Sequence, residues 1–147
     1  MPTANTWYRH SKPYWFKSEL VELNQKYQNF DKALYLTEAK DLIALHTPGH
    51  TNGHMSILLE TDDCQILFAS DLCYNQNQLI KNRFAGVNTG HVDAEDTYKR
   101  IKSLAKNNKL VFLPSHDREA GKRLKALVQY LSIKLNNMLI LLCVNHC

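Results

Sequence analysis

Residues 46–56 read HTPGHTNGHMS, and no other stretch restricts the fold of this chain as much. Pro48 fixes its own φ and Gly49 reaches backbone conformations closed to other residues, so the pair forces a tight turn. On either side lie short runs rich in Leu and Ile, DLIALHT at 41–47 and HMSILLE at 54–60. Runs of that length bounded by turn residues predict strands. The turn therefore presents His50 at a strand end instead of within a packed face. Three histidines, at 46, 50 and 54, fall within nine residues, and His50 is the first candidate ligand among them.

A third run, CQILFAS at 64–70, follows Thr61-Asp62-Asp63, a spacing that suits a hairpin. Three consecutive strands, antiparallel at least in part, are expected. Upstream, Ser11-Lys12-Pro13 precedes YWFKSELVELNQKYQ. Pro13 in a first turn and an apolar stripe of Leu20, Val21, Leu23 and Tyr27 predict a helix over about 13–28. After Asp71 the polar stretches 75–78 and 82–90 read as one long loop, a place where function often sits. Asp93 is expected to cap a helix that carries Tyr98, Ile101, Leu104 and Ala105 at helical spacing and ends at Asn107-Asn108. KLVFLP at 109–114 is then a buried strand running into Ser115-His116-Asp117, and AGKRLKALVQYLSIKL is helical in pattern. The order helix, three strands, loop, helix, strand, helix makes this an α/β (α+β) chain.

Two further residues share the placement of His50. Asp71 stands where the apolar strand ILFAS ends, and His116 where LVFLPS ends. Strand ends suit ligands, because the sheet fixes their geometry while the loops leave them open to solvent. Two imidazoles and a carboxylate are a donor set suited to Zn²⁺, and one carboxylate can bridge two ions with its two oxygens.

Taken together, TPGHTNGH with His50, FASD with Asp71 and PSHD with His116 resemble the metallo-β-lactamase superfamily. Its hydrolases combine an HxHxDH motif with these three elements in the same order. Within that superfamily the chain looks most like the N-acyl homoserine lactonases, because ASDLCY places Tyr74 three residues after Asp71. The resemblance implies the C-terminal part of an αβ/βα sandwich, with its first sheet largely missing. It also implies metal-assisted hydrolysis, in which two Zn²⁺ ions polarise the scissile carbonyl of a small ester or lactone. Asp71 would bridge the ions, His50 and His116 would each ligate one, and Tyr74 would help steady the developing oxyanion. Other small-ester, thioester or lactam hydrolases of the same fold share all but the tyrosine. His54 and Asp117 adjoin ligand positions and are candidates for orienting them.

The HxHxDH element does not occur before His50, where the histidines are His10 and His46. The expectation is a single partial domain over 1–147, with its core at about 30–117, beginning downstream of that element. Two four-coordinate ions need more ligands than three, so hydrolysis is expected of the complete arrangement. The alternative is a truncated, non-catalytic fragment or binding module. The missing sheet would also leave an apolar face, expected to be covered by a dimer partner or a complementing chain. Residues 126–147 form an atypically apolar tail.

Composition removes several other classes. A net charge of +4 gathers in 99–109 and 118–125, but no aromatic residues interleave with the lysines to stack on bases, so no nucleic-acid partner is expected. Met138–Val144, the longest apolar run, is far below the roughly 20 residues that span a bilayer, and no membrane partner is expected. Cys64, Cys73, Cys143 and Cys147 form no CxxC pair and MPTANTWYRH is no apolar leader, which makes the cytoplasm the expected setting. Cys143-Val144-Asn145-His146-Cys147 has ligand types but no second half-site.

Overall fold

A computed structural model describes residues 21–86 and 89–127. Six strands form one sheet in chain order: β1 (Gln25–Tyr27), β2 (Phe30–Tyr35), β3 (Leu42–His46), β4 (Met55–Glu60), β5 (Gln65–Ser70) and β6 (Leu110–Pro114). The helices among the described residues are α1 (Gln76–Lys81), α2 (His91–Asn107) and α3 (Ala120–Ala126). The first five strands pair antiparallel, each with its predecessor. β6 instead runs parallel to β5, with Gln65 opposite Leu110 and Leu67 opposite Phe112. A parallel neighbour needs a crossover, and α1 and α2 supply it. The C-terminal ends of β5 and β6 consequently lie side by side.

Alternation along the strands sorts side chains onto two faces. Ile43, Leu45, Leu58, Leu67, Ala69, Leu110 and Phe112 join Tyr98, Ile101, Leu104 and Ala105 of α2 in the main core. On the other face Ile66, Val111 and Leu113 cluster with Cys64, and Ala120 of α3 and Leu127 just past its end pack against them. That cover is partial: Phe68 and Met55 are 41% and 47% exposed. Fully burying an aliphatic side chain contributes about 1.5–3 kcal/mol, so the α2 face dominates the stability of the sheet.

Several expectations are corrected. The helix expected over 13–28 is, over Gln25–Tyr27, strand β1, paired with β2; residues 13–20 of it lie outside the described set. Tyr27 does face the core, but from a strand. A two-residue turn follows, with Gln28 in the left-handed region at φ 48°. The antiparallel run is therefore five strands long. The long polar loop after Asp71 contains α1, whose first turn is capped by the Asn75 side chain accepting from the Gln78 N–H. Gly90 stands at the N-cap of α2, and Asp93 lies in the first turn. The helix predicted downstream of Arg118 is observed as α3 up to Ala126; the rest of it, the apolar run 138–144 and the Cys-rich end lie outside the described residues. No described helix is long and apolar enough to cross a membrane.

Candidate functional site

The turn after β3 is held from within and from behind. Thr47 N–H donates to the His54 carbonyl at 3.0 Å, and Gly49 N–H to the Thr51 carbonyl at 3.2 Å. Gly49 adopts φ +145°, a region open essentially to glycine. α2 packs directly behind it, so that a Cβ built on Gly49 would lie 2.8 Å from both Cα and Cβ of Ala94. The same helix sends the Thr97 hydroxyl to the Pro48 carbonyl at 2.7 Å, and Thr89 N–H donates to the Gly49 carbonyl at 2.9 Å. His50 thus leaves a backbone fixed by the main core.

His54 closes the turn. Its Nδ1 lies 2.9 Å from both the hydroxyl and the carbonyl oxygen of Thr47. A carbonyl only accepts, so Nδ1 carries the proton and Nε2 is a bare acceptor. That Nε2 is buried without a hydrogen-bond partner. Burial, countered in part by the Thr47 bond, lowers the tendency of His54 to protonate. Its ring stands edge-on to His50, 6.0 Å between centroids.

Asp71 follows β5 through Ser70, itself left-handed at φ 50°. Ser115 N–H donates to the Ser70 carbonyl at 3.0 Å, which joins the ends of β5 and β6 and brings His116 beside Asp71. His116 Nε2 lies 3.2 Å from Asp71 Oδ1, and His50 Nε2 lies 4.0 Å from Oδ2. Each imidazole therefore faces a different oxygen of one carboxylate. Tyr74, 39% exposed, meets the His116 ring edge-on at 5.8 Å. Between Asp71 and Tyr74, Cys73 is fully buried, and burial pushes its thiol up to about 12. A thiol so far from ionising is a packing residue and no nucleophile.

Donor chemistry decides whether these residues fit a metal. Two ligands of one tetrahedral zinc stand roughly 3.4 Å apart, given bonds near 2.0–2.1 Å. The His116–Asp71 separation agrees with that, and the His50–Asp71 separation is wider. No three His, Cys, Asp or Glu side chains among the described residues surround one centre. The arrangement is instead two pairs sharing Asp71, which fits part of a two-ion site.

One element of the site escapes a reading by sequence position. The Asp117 carboxylate accepts from Gln76 N–H at 2.9 Å, Glu119 N–H at 3.0 Å and the Arg123 guanidinium at 2.8 Å. Burial alone would raise its pKa, but these donors outweigh it and hold the carboxyl below its usual value. Asp117 is recognisable in the sequence as a neighbour of His116, whereas its link to Gln76 spans 41 residues and leaves no local signal.

A family description, the metallo-beta-lactamase superfamily, matches residues 3–116. An N-acyl homoserine lactonase of a Bacillus sp is 30% identical over 125 residues, 84% of this chain and 48% of that relative. An N-acyl homoserine lactonase from Bacillus thuringiensis is 30% identical over 89 residues, 59% of this chain and 35% of the relative. The chain thus spans about half the length, or less, of the curated relatives it matches. Among solved structures, an N-acyl homoserine lactone hydrolase with the product N-hexanoyl-L-homoserine at its catalytic metal centre superposes with a TM-score of 0.52 at 25% identity. That superposition covers 61% of this chain and 35% of the other.

Proposed function

The chain belongs to the metallo-beta-lactamase superfamily, and from that premise we propose that it carries the second half of a two-zinc hydrolase site that opens small lactones of the N-acyl homoserine type. One observation carries the reading: the Asp71 carboxylate turns one oxygen toward His116 and the other toward His50. Zn²⁺ held by such a set supplies Lewis acidity toward a carbonyl oxygen. His50 and His116 offer Nε2 lone pairs, and Asp71 offers the negative charge. Tyr74, whose ring meets that of His116, would offer a phenolic donor to the oxyanion that develops as the acyl carbon becomes tetrahedral. Support for the lactone class comes from the lactonase relatives and from the bound product named for the superposed hydrolase.

A second reading, a metal-binding module without turnover, is favoured by the incomplete shells. Calorimetric titration of the purified chain with Zn²⁺ tests both, beside His50→Ala, Asp71→Ala and His116→Ala, together with a pH-stat assay of N-hexanoyl homoserine lactone opening. The expected result is zinc uptake that weakens in every variant and most in Asp71→Ala, because that carboxylate serves both pairs. Uptake without lactone opening supports the module. A chain that takes up no zinc overturns both readings.

A further inference from the structure

We infer that Asp117 is a positioning residue whose carboxylate locks His116 to the loop carrying Asp71 and Tyr74. The inference rests on reading His116 as a ligand and goes beyond that reading by saying what holds it in place. Three elements converge on this one side chain. Oδ2 accepts from the backbone N–H of Gln76, the first residue of α1 and two past Tyr74. It accepts as well from Nη2 of Arg123 on α3. Oδ1 accepts from Glu119 N–H. Arg123 in turn donates from Nε to the Phe112 carbonyl at 3.3 Å, inside β6. The strand end before His116, the helix after it and the helix after Tyr74 are thus fastened at a single carboxylate.

The pair is protected from water, with Asp117 and Arg123 side chains only 8% and 12% exposed. Exposed ion pairs contribute little, but removing one partner of a buried pair strands the other charge. The guanidinium also balances the carboxylate, so the pair changes the site through geometry and not through net charge. His116 itself is 59% exposed in its side chain, and its ring is met by Asp71 Oδ1 at 3.2 Å and by the Tyr74 ring. The backbone on either side sets where that ring stands. Ser115 N–H to the Ser70 carbonyl fixes one side, and the Asp117 carboxylate fixes the other.

The test compares wild type with Asp117→Asn and Arg123→Met, and uses Tyr27→Phe as a control that breaks a buried network elsewhere in the sheet. Three readouts are taken: Zn²⁺ affinity by calorimetry, amide hydrogen exchange at Gln76 and Glu119, and the Tyr74–His116 cross-ring NOE. Asp117→Asn and Arg123→Met are expected to weaken zinc binding about 10-fold or more, to speed exchange at both amides and to erase the NOE. Tyr27→Phe should move none of the three. An Asp117→Asn chain that keeps its zinc affinity within two-fold, slow Gln76 exchange and the NOE overturns the inference. If the wild type takes up no zinc, the ligand reading fails, and exchange and NOE still decide the clamp without metal. Should Asp117→Asn fail to fold, Arg123→Met decides, since it leaves the carboxylate and both backbone donors in place.

Discussion

Gly49→Ala is the sharpest perturbation the structure offers. Two costs add at this position. The φ of +145° lies where a Cβ is strained, a cost of about 1–3 kcal/mol. The new methyl would also stand 2.8 Å from Cα and Cβ of Ala94, and forcing an extra methyl into a packed contact costs typically about 1–3 kcal/mol. The expected loss is therefore roughly 2–6 kcal/mol, a large share of the stability of a domain this size. Gly53, four residues on in the same turn, is the control: a Cβ there meets nothing within 4 Å and its φ is not positive. Gly53→Ala should be neutral, or stabilising by up to about 1 kcal/mol. Adding Ala94→Gly to Gly49→Ala should not restore stability, because the Ala94 Cα remains at 2.8 Å and a helical glycine costs about 1 kcal/mol more. Urea unfolding followed by circular dichroism gives the midpoint and slope for each chain. Equal midpoints for Gly49→Ala and Gly53→Ala would refute the reasoning, since helix and turn would then not be in the contact described.

Three other outcomes follow from the same contacts. Thr97→Val keeps the shape but leaves the Pro48 carbonyl without its donor, and should cost about 1–3 kcal/mol in urea unfolding; an unchanged midpoint would show that the bond contributes nothing. Leu67→Ala, at a fully buried position of β5, should cost about 2–5 kcal/mol, and a loss below that of a surface Leu36→Ala control would place Leu67 outside the core. The phenols of Tyr27 and Tyr98 are raised above their ordinary value of 10.0, first by burial and then by Glu60 and by Cys73 respectively. A raised acid keeps its proton only when folded, so this stability is whole below pH 10 and is lost as pH climbs above it. Phenolate absorbance of these two residues should appear only with loss of circular dichroism; ionisation near pH 10 with the fold intact would contradict it.

The strands bearing the candidate ligands were legible because each is a continuous or alternating apolar run closed by turn residues. β3 to β6 read that way, as did the Tyr98, Ile101, Leu104 face of α2. β1 and β2 did not. Their residues QKY and FDKALY are half polar, and they pair through Gln28-Asn29, a turn with neither Gly nor Pro. Leu20, Val21, Leu23 and Tyr27 happen to fall at helical spacing, and pairing to β2 outweighed that pattern. α1 is six residues, mostly polar, too short for periodicity to show. At the site, strand-end placement indicated which side chains meet. The parallel pairing of β5 with β6 and the Arg123 contact did not show, because both are made between residues far apart in sequence.

The parallel pairing of β6 with β5 also orders events in time. β2 to β5 each pair with their immediate predecessor, and contacts of that kind close short loops and form quickly. β6 must wait for the excursion through α1 and α2 to close, at an entropic cost that grows with the length of the loop. During folding, His50 and Asp71 are therefore neighbours early, on a nascent meander. His116 joins them last, so a ribosome or a denaturant jump that halts the chain before β6 docks leaves the carboxylate with one histidine instead of two.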